Sequence, residues 1–475
     1  MCLIAGGFNI PREYAIKMIE LGRHRGPDSF GFWSERQVIK SEDFSDVENI
    51  EGGKTALIQC RLAMTGSKDY TQPFYNEIVL VHNGEIYNHE ILREYLIERG
   101  ASFETDVDSE VILRLLEYLI FEKKMKVGEA VKLAMKMLRG DYAVAFFFND
   151  RFYLFRDPLG VRPLYYSPNG HFASEKKVLW GLEEDANPVL PGELVEISKH
   201  RIVKEKIFNI LSIKVPGRSY VNGLMNILPD AVRIRANKKV GVLFSGGLDS
   251  SLIAKIASEY SKVVLYTSGT EDSKDIEWAR KVADELGLKL RESVFSKEDV
   301  EAELERIMFA IEEPNPMNLA IAIPLYFSTK KAKEDGVKIL LSGQGADELF
   351  GGYAKYMENP GLMLKDIEEL GEKNLARDDK VSMLNGVEVR YPYLDLPLAI
   401  LALNVPLELK INGNRRKVIL REVAKKMGLP EWIAEREKKA AQYGSNAQKI
   451  LRKIAKSRGL KLREFADVLF SNVFH

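Results

Sequence analysis

Two stretches of this chain carry residue types whose spacing supports chemistry. The first is the opening run Met1-Cys2-Leu3-Ile4-Ala5-Gly6-Gly7-Phe8. A small residue at position 2 favours loss of Met1, which would leave Cys2 at the amino terminus. Its freed α-amine, with an ordinary pKa of roughly 7.7–8.0, can take the proton of its own thiol. Read alone, a Cys at this position is also the start of a buried strand. The second stretch is Ser245-Gly246-Gly247-Leu248-Asp249-Ser250-Ser251. Small residues there let the backbone wrap an anion, hydroxyls donate to it, and a following helix adds positive potential. No Gly-Lys-Ser/Thr follows, so the run is not a Walker A loop.

Both stretches need a scaffold, and the chain offers two rhythms. Over the first ~200 residues, apolar runs at 3–8, 55–61, 78–83, 142–148 and 152–155 predict strands. Between them, 89–99, 109–121 and 129–138 carry apolar residues at helical spacing. This combination predicts a layered α+β sandwich. From about Val240 a strand at 240–244 precedes the loop and a helix at 252–260. A strand at 263–267, helices at 276–286 and 320–334, and a strand at 337–341 follow. That alternation predicts a doubly wound parallel sheet. The change of rhythm places a boundary near Pro216-Gly217, giving domains 1–210 and 211–475.

Composition narrows the classes. The 475 residues are 45% hydrophobic and 29% charged, the balance of a soluble globular protein. Lys plus Arg equals Asp plus Glu at 69 each, leaving no excess positive field for nucleic acid. The only cysteines are Cys2 and Cys60, too few for a disulfide framework and suited to a reducing cytoplasm. No apolar run reaches membrane-spanning length, and no basic-then-apolar leader opens the chain.

A site that hydrolyses glutamine needs a nucleophile, an oxyanion hole and groups that clasp an amino acid. Asn83-Gly84, expected just after a strand at 78–82, offers an amide and a backbone N–H to a developing oxyanion. The same pair also reads as a hairpin turn. Arg61, at a strand end, has the planar fork that grips a carboxylate. Asp108 and Glu110, just before a helix, read as caps or dipole partners, and Asp108 reads also as the partner of a ligand ammonium.

The stretches Met1-Cys2, Arg23-His24-Arg25-Gly26-Pro27-Asp28, Arg61-Leu62, Gln72-Pro73, His82-Asn83-Gly84-Glu85-Ile86-Tyr87-Asn88 and Asp108-Ser109-Glu110-Val111-Ile112 resemble class II glutamine amidotransferase domains. Arg156-Asp157-Pro158-Leu159-Gly160-Val161-Arg162-Pro163, Ala173-Ser174-Glu175-Lys176 and Pro191-Gly192 narrow this to the asparagine synthetase branch. The loop at 245–251 is similar to the pyrophosphate loop of ATP-pyrophosphatases. Ser342-Gly343-Gln344-Gly345-Ala346-Asp347-Glu348, Gly386 to Asp395, and Lys417-Val418-Ile419-Leu420-Arg421 resemble further synthetase signatures. Leu429-Pro430 with Arg436-Glu437-Lys438 resembles the usual tail.

The resemblance implies an αββα N-terminal-nucleophile sandwich followed by an α/β ATP-pyrophosphatase domain. It implies Cys2 as nucleophile, Asn83 and Gly84 as oxyanion hole, and Arg61, Glu85 and Asp108 as holders of glutamine. Leu243, Ser245, Gly246, Gly247, Asp249, Ser250, Ser268, Ser342 and Gly343 would surround ATP. Asp249 and Asp347 would hold Mg²⁺, whose preference is for hard oxygen donors, and Lys417 would offset charge as pyrophosphate leaves. As bare sequence, Lys417 is also one more solvated helix lysine, and Glu388 and Asp395 are salt-bridge partners.

The implied enzyme takes glutamine, aspartate and ATP, with a sealed passage for ammonia, and a homodimer is compatible with it. Its acceptor is open, because Gln344 stands where the family has Glu. Glutamine keeps the size but neither accepts a proton nor carries charge. A synthetase with its base elsewhere (Glu348 or Glu313), an amidotransferase with another carboxylate acceptor, and a glutamine- or nucleotide-binding protein with a weakened synthetase site all remain. If the family carboxylate is simply missing, Gln344→Glu is expected to raise synthesis.

Overall fold

A computed structural model describes residues 1–64, 70–215, 219–436 and 444–474. The chain divides into two units, one of Met1–Ser212 with Leu370–Ala376, the other of Ile213–Glu369 with Arg377–His475. The linker expected at Pro216-Gly217, and Glu437-Lys438 of the tail motif, lie outside the described residues.

In the first unit, β1 (Leu3–Pro11) runs into α1 (Arg12–Gly22), and β2 (Ser29–Ser34), β3 (Val38–Ser41) and β4 (Gly52–Arg61) follow. Then come β5 (Phe74–Tyr75), β6 (Val79–Ile86), α2 (His89–Ile97), α3 (Asp108–Glu117), α4 (Val127–Met137), β7 (Gly140–Phe148) and β8 (Arg151–Arg156). The unit is completed by β9 (Tyr165–Tyr166), β10 (His171–Ala173), α5 (Lys176–Trp180), β11 (Asn187–Pro188), β12 (Glu193–Ser198) and β13 (Arg201–Lys206).

The strands form a seven-stranded sheet ordered β11-β9-β10-β1-β4-β2-β3 and a six-stranded sheet ordered β13-β12-β8-β7-β6-β5. Alternate residues explain why the two sheets stack. Ile4, Phe8 and Leu57 of the first sheet bury against Val81, Ala143, Phe152 and Val195 of the second. The opposite face of the first sheet, with Leu3, Ala5 and Ile58, packs on Met18 and Ile19 of α1 and Val178 and Leu179 of α5. With α3 against β6 of the second sheet, and α2 and α4 packed on α3, the layers read αββα.

Asn83-Gly84 is a correction to the strand boundary and to the hairpin reading. The β6–β7 ladder continues through it, pairing His82 with Val144, Asn83 with Ala143 and Gly84 with Tyr142. Both cysteines are free thiols, and burial pushes the Cys60 thiol well above its ordinary range.

In the second unit, α6 (Tyr220–Arg233) leads to β14 (Lys239–Leu243), α7 (Leu248–Ser258), β15 (Lys262–Gly269), α8 (Lys274–Leu286) and β16 (Lys289–Val294). Next come α9 (Lys297–Ile311), α10 (Pro316–Glu334), β17 (Ile339–Leu341), α11 (Ala346–Phe350) and, after further helices, β18 (Glu388–Arg390). All five strands are parallel, ordered β16-β15-β14-β17-β18. The order turns back at β14, so the loops after β14 and β17 open at the switch point where such sheets bind ligands. Local signals set the helix limits: Ser273 caps α8, Ser296 and Asp299 form a reciprocal box on α9, and Asn315 with Pro316 starts α10.

Candidate functional site

In the first unit, β1 delivers Cys2 beside β6. The Cys2 N–H donates to Asn83 Oδ1 at 3.0 Å, which fixes the amide and points its nitrogen the other way. That nitrogen, Asn83 Nδ2, is buried and has no hydrogen-bond partner among the described residues. A buried amide donor left unpaired is costly unless a ligand completes it. Gly84 has φ near +155°, and a Cβ there would lie 2.1 Å from the Asp141 carbonyl oxygen, so only glycine fits.

A pocket at Cys2 is lined by Met1, Gln59, Arg61, Leu62, Gln72, His82, Gly84, Glu85 and Ser109 among others. Cys2, Arg61, Gly84 and Glu85 therefore meet at one cavity, and Asn83 reaches the same thiol-bearing residue. Asp108 stands one layer back. It is the first residue of α3, its Oδ2 accepts the Ile86 N–H at 2.8 Å, and Val107 is the residue that caps the helix.

Some contributors carried no role from sequence. Arg25, fully buried, donates its Nε–H to the Cys2 carbonyl at 3.1 Å and its Nη1 to Glu175 at 2.8 Å. Glu175 also pairs with His24 and Lys177. Burial pushes its carboxyl up, but Lys177, His24 and Arg25 outweigh that and hold it well below the usual range. In the pocket wall, His82 Nδ1 meets Ser109 Oγ at 2.9 Å, and Gln72 Nε2 donates to the same hydroxyl. The Arg-His-Arg-Gly and Ala-Ser-Glu-Lys runs stand out as words, but only their meeting 150 residues apart reveals the device.

In the second unit, the loop after β14 turns into α7, which Gly247 caps, and Gly246 backs onto Trp278. Ser245 and Ser250 meet across the loop, and Arg436 donates to the Ser245 carbonyl at 3.0 Å. Asp249, in the first turn of α7, accepts both ends of a clasp from Lys417 Nζ at 2.8 and 2.7 Å. The same ammonium lies 2.5 Å from Asp347. Lys417 is buried at the start of the helix Val418–Lys426, so it is not a solvated helix lysine. Gly352 keeps this clasp closed, since a Cβ there would fall 1.8 Å from Asp347 Oδ1 and 2.3 Å from Lys417 Cε.

Beside the loop lies a cavity of about 190 Å³ lined by Leu243, Ser245, Tyr266, Ser268, Pro324, Gln344, Arg377 and Asp378 among others. Gly246, Gly247, Asp249, Ser250, Ser342 and Gly343 do not line it. Gly343 instead packs on Asp249, where a Cβ would come within 2.9 Å. Gln344 donates weakly to Glu348 Oε1 at 3.4 Å, and Tyr353 donates to the same oxygen at 2.9 Å. Burial, then the charge of Asp347, pushes the Glu348 carboxyl up to about 7. Glu313 is exposed and bonded to Asn315 and Asn318. Glu388 pairs with Arg390 and Asp395 with Arg235, as structural ion pairs.

The donor chemistry at Asp249 and Asp347 fits Mg²⁺. Among the described residues no group of three or more acidic, His or Cys donors gathers as a closed metal cage. Two carboxylates with phosphate and water completing the shell is the arrangement Mg²⁺ takes beside a nucleotide. No helix among the described residues is long and apolar enough to cross a membrane.

The layers and sites define an N-terminal-nucleophile amidotransferase unit joined to an ATP-pyrophosphatase-type unit, the plan of an ATP-dependent carbon–nitrogen ligase. The family model for the glutamine amidotransferase domain matches residues 1–221, and that for asparagine synthase matches 224–364 and 358–468. A Methanocaldococcus jannaschii chain assigned provisionally as a glutamine-hydrolysing asparagine synthetase is 38% identical over 99% of this chain and 98% of its own length. Asparagine synthetase B of Escherichia coli is 29% identical over 94% of this chain and 82% of its own. Asparagine synthetase 3 of Arabidopsis thaliana is 31% identical over 90% and 76%. The chain belongs to the glutamine-hydrolysing asparagine synthetase family.

Proposed function

We propose that the protein makes asparagine from aspartate, with ammonia released from glutamine at Cys2. After loss of Met1, the Cys2 thiolate attacks the glutamine side-chain carbonyl while the α-amine takes the thiol proton. Asn83 Nδ2 and the Gly84 N–H receive the oxyanion, and Arg61 and Glu85 orient the substrate's charged ends, with the Asp108 carboxylate behind them drawing the substrate's ammonium. The carbonyl re-forms as the α-ammonium returns its proton to the departing nitrogen, ammonia leaves, and a thioester remains for water to cleave to glutamate and the free thiol.

In the second unit, the side-chain carboxylate of aspartate attacks the α-phosphorus of ATP, giving an acyl-adenylate and pyrophosphate. Ammonia displaces AMP. Asp249 and Asp347 would hold Mg²⁺, which when bound offsets negative charge on the leaving pyrophosphate. Lys417 places a second positive group there, and Leu243, Ser268 and the cavity wall accept the nucleoside.

The observation carrying this reading is Asn83, whose amide is locked by Cys2 at one end and, among the described residues, buried without a partner at the other. The test is incubation with glutamine, aspartate and Mg-ATP, scoring asparagine, glutamate, AMP and pyrophosphate. Cys2→Ala should abolish glutamine-dependent synthesis and leave the ammonia-dependent reaction intact. Production of ADP and phosphate, or full glutamine use by the variant, overturns it. Gln344 favours a second reading, the same two half-reactions with another carboxylate acceptor, which a panel of acids in the AMP assay separates.

A further inference from the structure

The pocket at Cys2 holds a second amide arranged like that of Asn83. Gln59 lies on β4, opposite Ile4 of β1 and Gly31 of β2. Ile58 and Cys60 pack towards α1 and Leu57 towards the second sheet, so alternation turns Gln59 and Arg61 to the latter face. Both line the pocket.

The Gln59 side chain is fully buried. Its Oε1 accepts the Gln72 N–H at 3.0 Å, and because that group only donates, the oxygen and nitrogen ends are fixed. Gly31 makes room for the contact, since a Cβ there would fall 1.7 Å from the Gln72 carbonyl oxygen. Gln59 Nε2 is left buried with no hydrogen-bond partner among the described residues. A donor held in this way is costly unless something accepts from it.

The roles already filled narrow what accepts. Under the proposed function, the carbonyl oxygen of glutamine meets Asn83 and Gly84, its carboxylate meets Arg61, and its ammonium meets Glu85 and Asp108. Gln72 and Ser109 are spent on each other and on His82. His82 Nε2 also has no partner among the described residues, but alternation along β6 turns that ring towards Ser109 of α3, away from the face of Val81 and Asn83. The acceptor without a donor is the one that arrives after ammonia has left, the water that cleaves the thioester.

We propose that Gln59 Nε2 donates to the oxygen of this water and positions it for attack. The water oxygen bonds to the thioester carbonyl carbon and the C–S bond breaks. One water proton passes to the α-amine of Cys2 and on to the departing thiolate, giving glutamate and the free thiol. Gln59 itself exchanges no proton. It is a positioning residue for the second half of the glutaminase cycle, and its role rests on Cys2 forming a thioester. Asn83 and Gly84 serve both halves, whereas Gln59 serves only the second.

The test mixes full-length protein lacking Met1 with glutamine under rapid quench, following ammonia, glutamate and the mass of the protein. A diazoketone analogue of glutamine, which alkylates Cys2 without needing water, counts the folded sites. Gln59→Met and the more conservative Gln59→Asn are compared with the wild type per labelled site. In both, ammonia should appear as a burst of about one equivalent at close to the wild-type rate. Turnover should then be slowed roughly 10–100-fold, the scale of a hydrogen bond lost in a buried site. A γ-glutamyl adduct on Cys2 should accumulate, and hydroxylamine, a stronger nucleophile than water, should restore turnover as the hydroxamate.

Variants that slow ammonia and glutamate together, with no adduct, overturn the inference, as do variants with the wild-type time course. Loss of labelling in both variants overturns it too, because Gln59 would then serve glutamine binding or the fold. A wild type that hydrolyses no glutamine, or a Cys2→Ala variant that still does, overturns the glutaminase reading itself.

Discussion

Gln344 looks like a loss when read as a letter, and its neighbourhood changes that reading. Its amide donates to Glu348 Oε1, whose carboxyl burial and Asp347 have pushed up to about 7. A Glu at 344 would replace that donor with a second carboxylate, and two acids sharing a site resist joint ionisation. The contact reverses the sign expected from sequence. We expect Gln344→Glu to lower ammonia-dependent synthesis by roughly 10–100-fold, the scale of losing a hydrogen bond to a charged group. Glutamine hydrolysis should be unchanged, and a faster variant would show that the amide is not integrated.

His82 makes a second prediction at this scale. Burial drives its pKa down to about 4, with Asp108 pulling only partly the other way, so it folds as a neutral ring. The unfolded chain takes up that proton at about 6.5. The contribution is thus complete above pH ~6.5 and is lost as pH falls towards 4, by up to ~3 kcal/mol. Unfolding of the first unit in urea between pH 4 and 7 should show this slope, and His82→Gln should flatten it.

Long apolar runs made β1, β4, β6, β7 and β8 legible, because a strand buried on both faces needs little polar punctuation. β3, β9, β10, β11 and β13 were not, being short or partly exposed, and β2 and β12 were not because glycine or polar residues interrupt their apolar runs. The Asn83-Gly84 pair misled for a local reason: its turn propensity is real, but the β7 ladder overrides it. At the sites, motif words located Cys2, Asn83, Asp249, Asp347 and Lys417. The Arg25–Glu175 hold on Cys2 and the Gln72 lock on Gln59 depend on contacts that no spacing encodes. The turn after α11 shows how a backbone element serves a site. Gly352→Ala should push Asp347 and Lys417 apart, cutting AMP formation at least tenfold while glutamine hydrolysis continues. Normal AMP formation in that variant would mean the clasp is not needed for ATP cleavage.

The sequence places two domains end to end, whereas the first unit takes seven residues, 370–376, from far downstream. Composition had no means of signalling that return. Within the unit, fully buried Arg156 donates to the carbonyls of Gly160, Arg162 and Val189, and its opposite charge is Glu372. Removing one partner of such a pair strands the other, at about 3 kcal/mol. Glu372→Gln should therefore lower the temperature at which glutamine hydrolysis is lost, with the activity of the unheated enzyme retained. An unchanged inactivation temperature would show that the three carbonyls satisfy Arg156 alone.

That downstream piece gives the molecule a timetable. Residue 376 leaves the ribosome 164 positions after residue 212, which at ~5–20 residues per second is a delay of roughly 8–30 s. During that interval the nascent amidotransferase unit holds Arg156 without its counter-charge and carries Cys2 already translated. Its final consolidation is deferred until most of the ligase half has been made, so a chain that terminates early releases a glutaminase lacking its last stabilising segment.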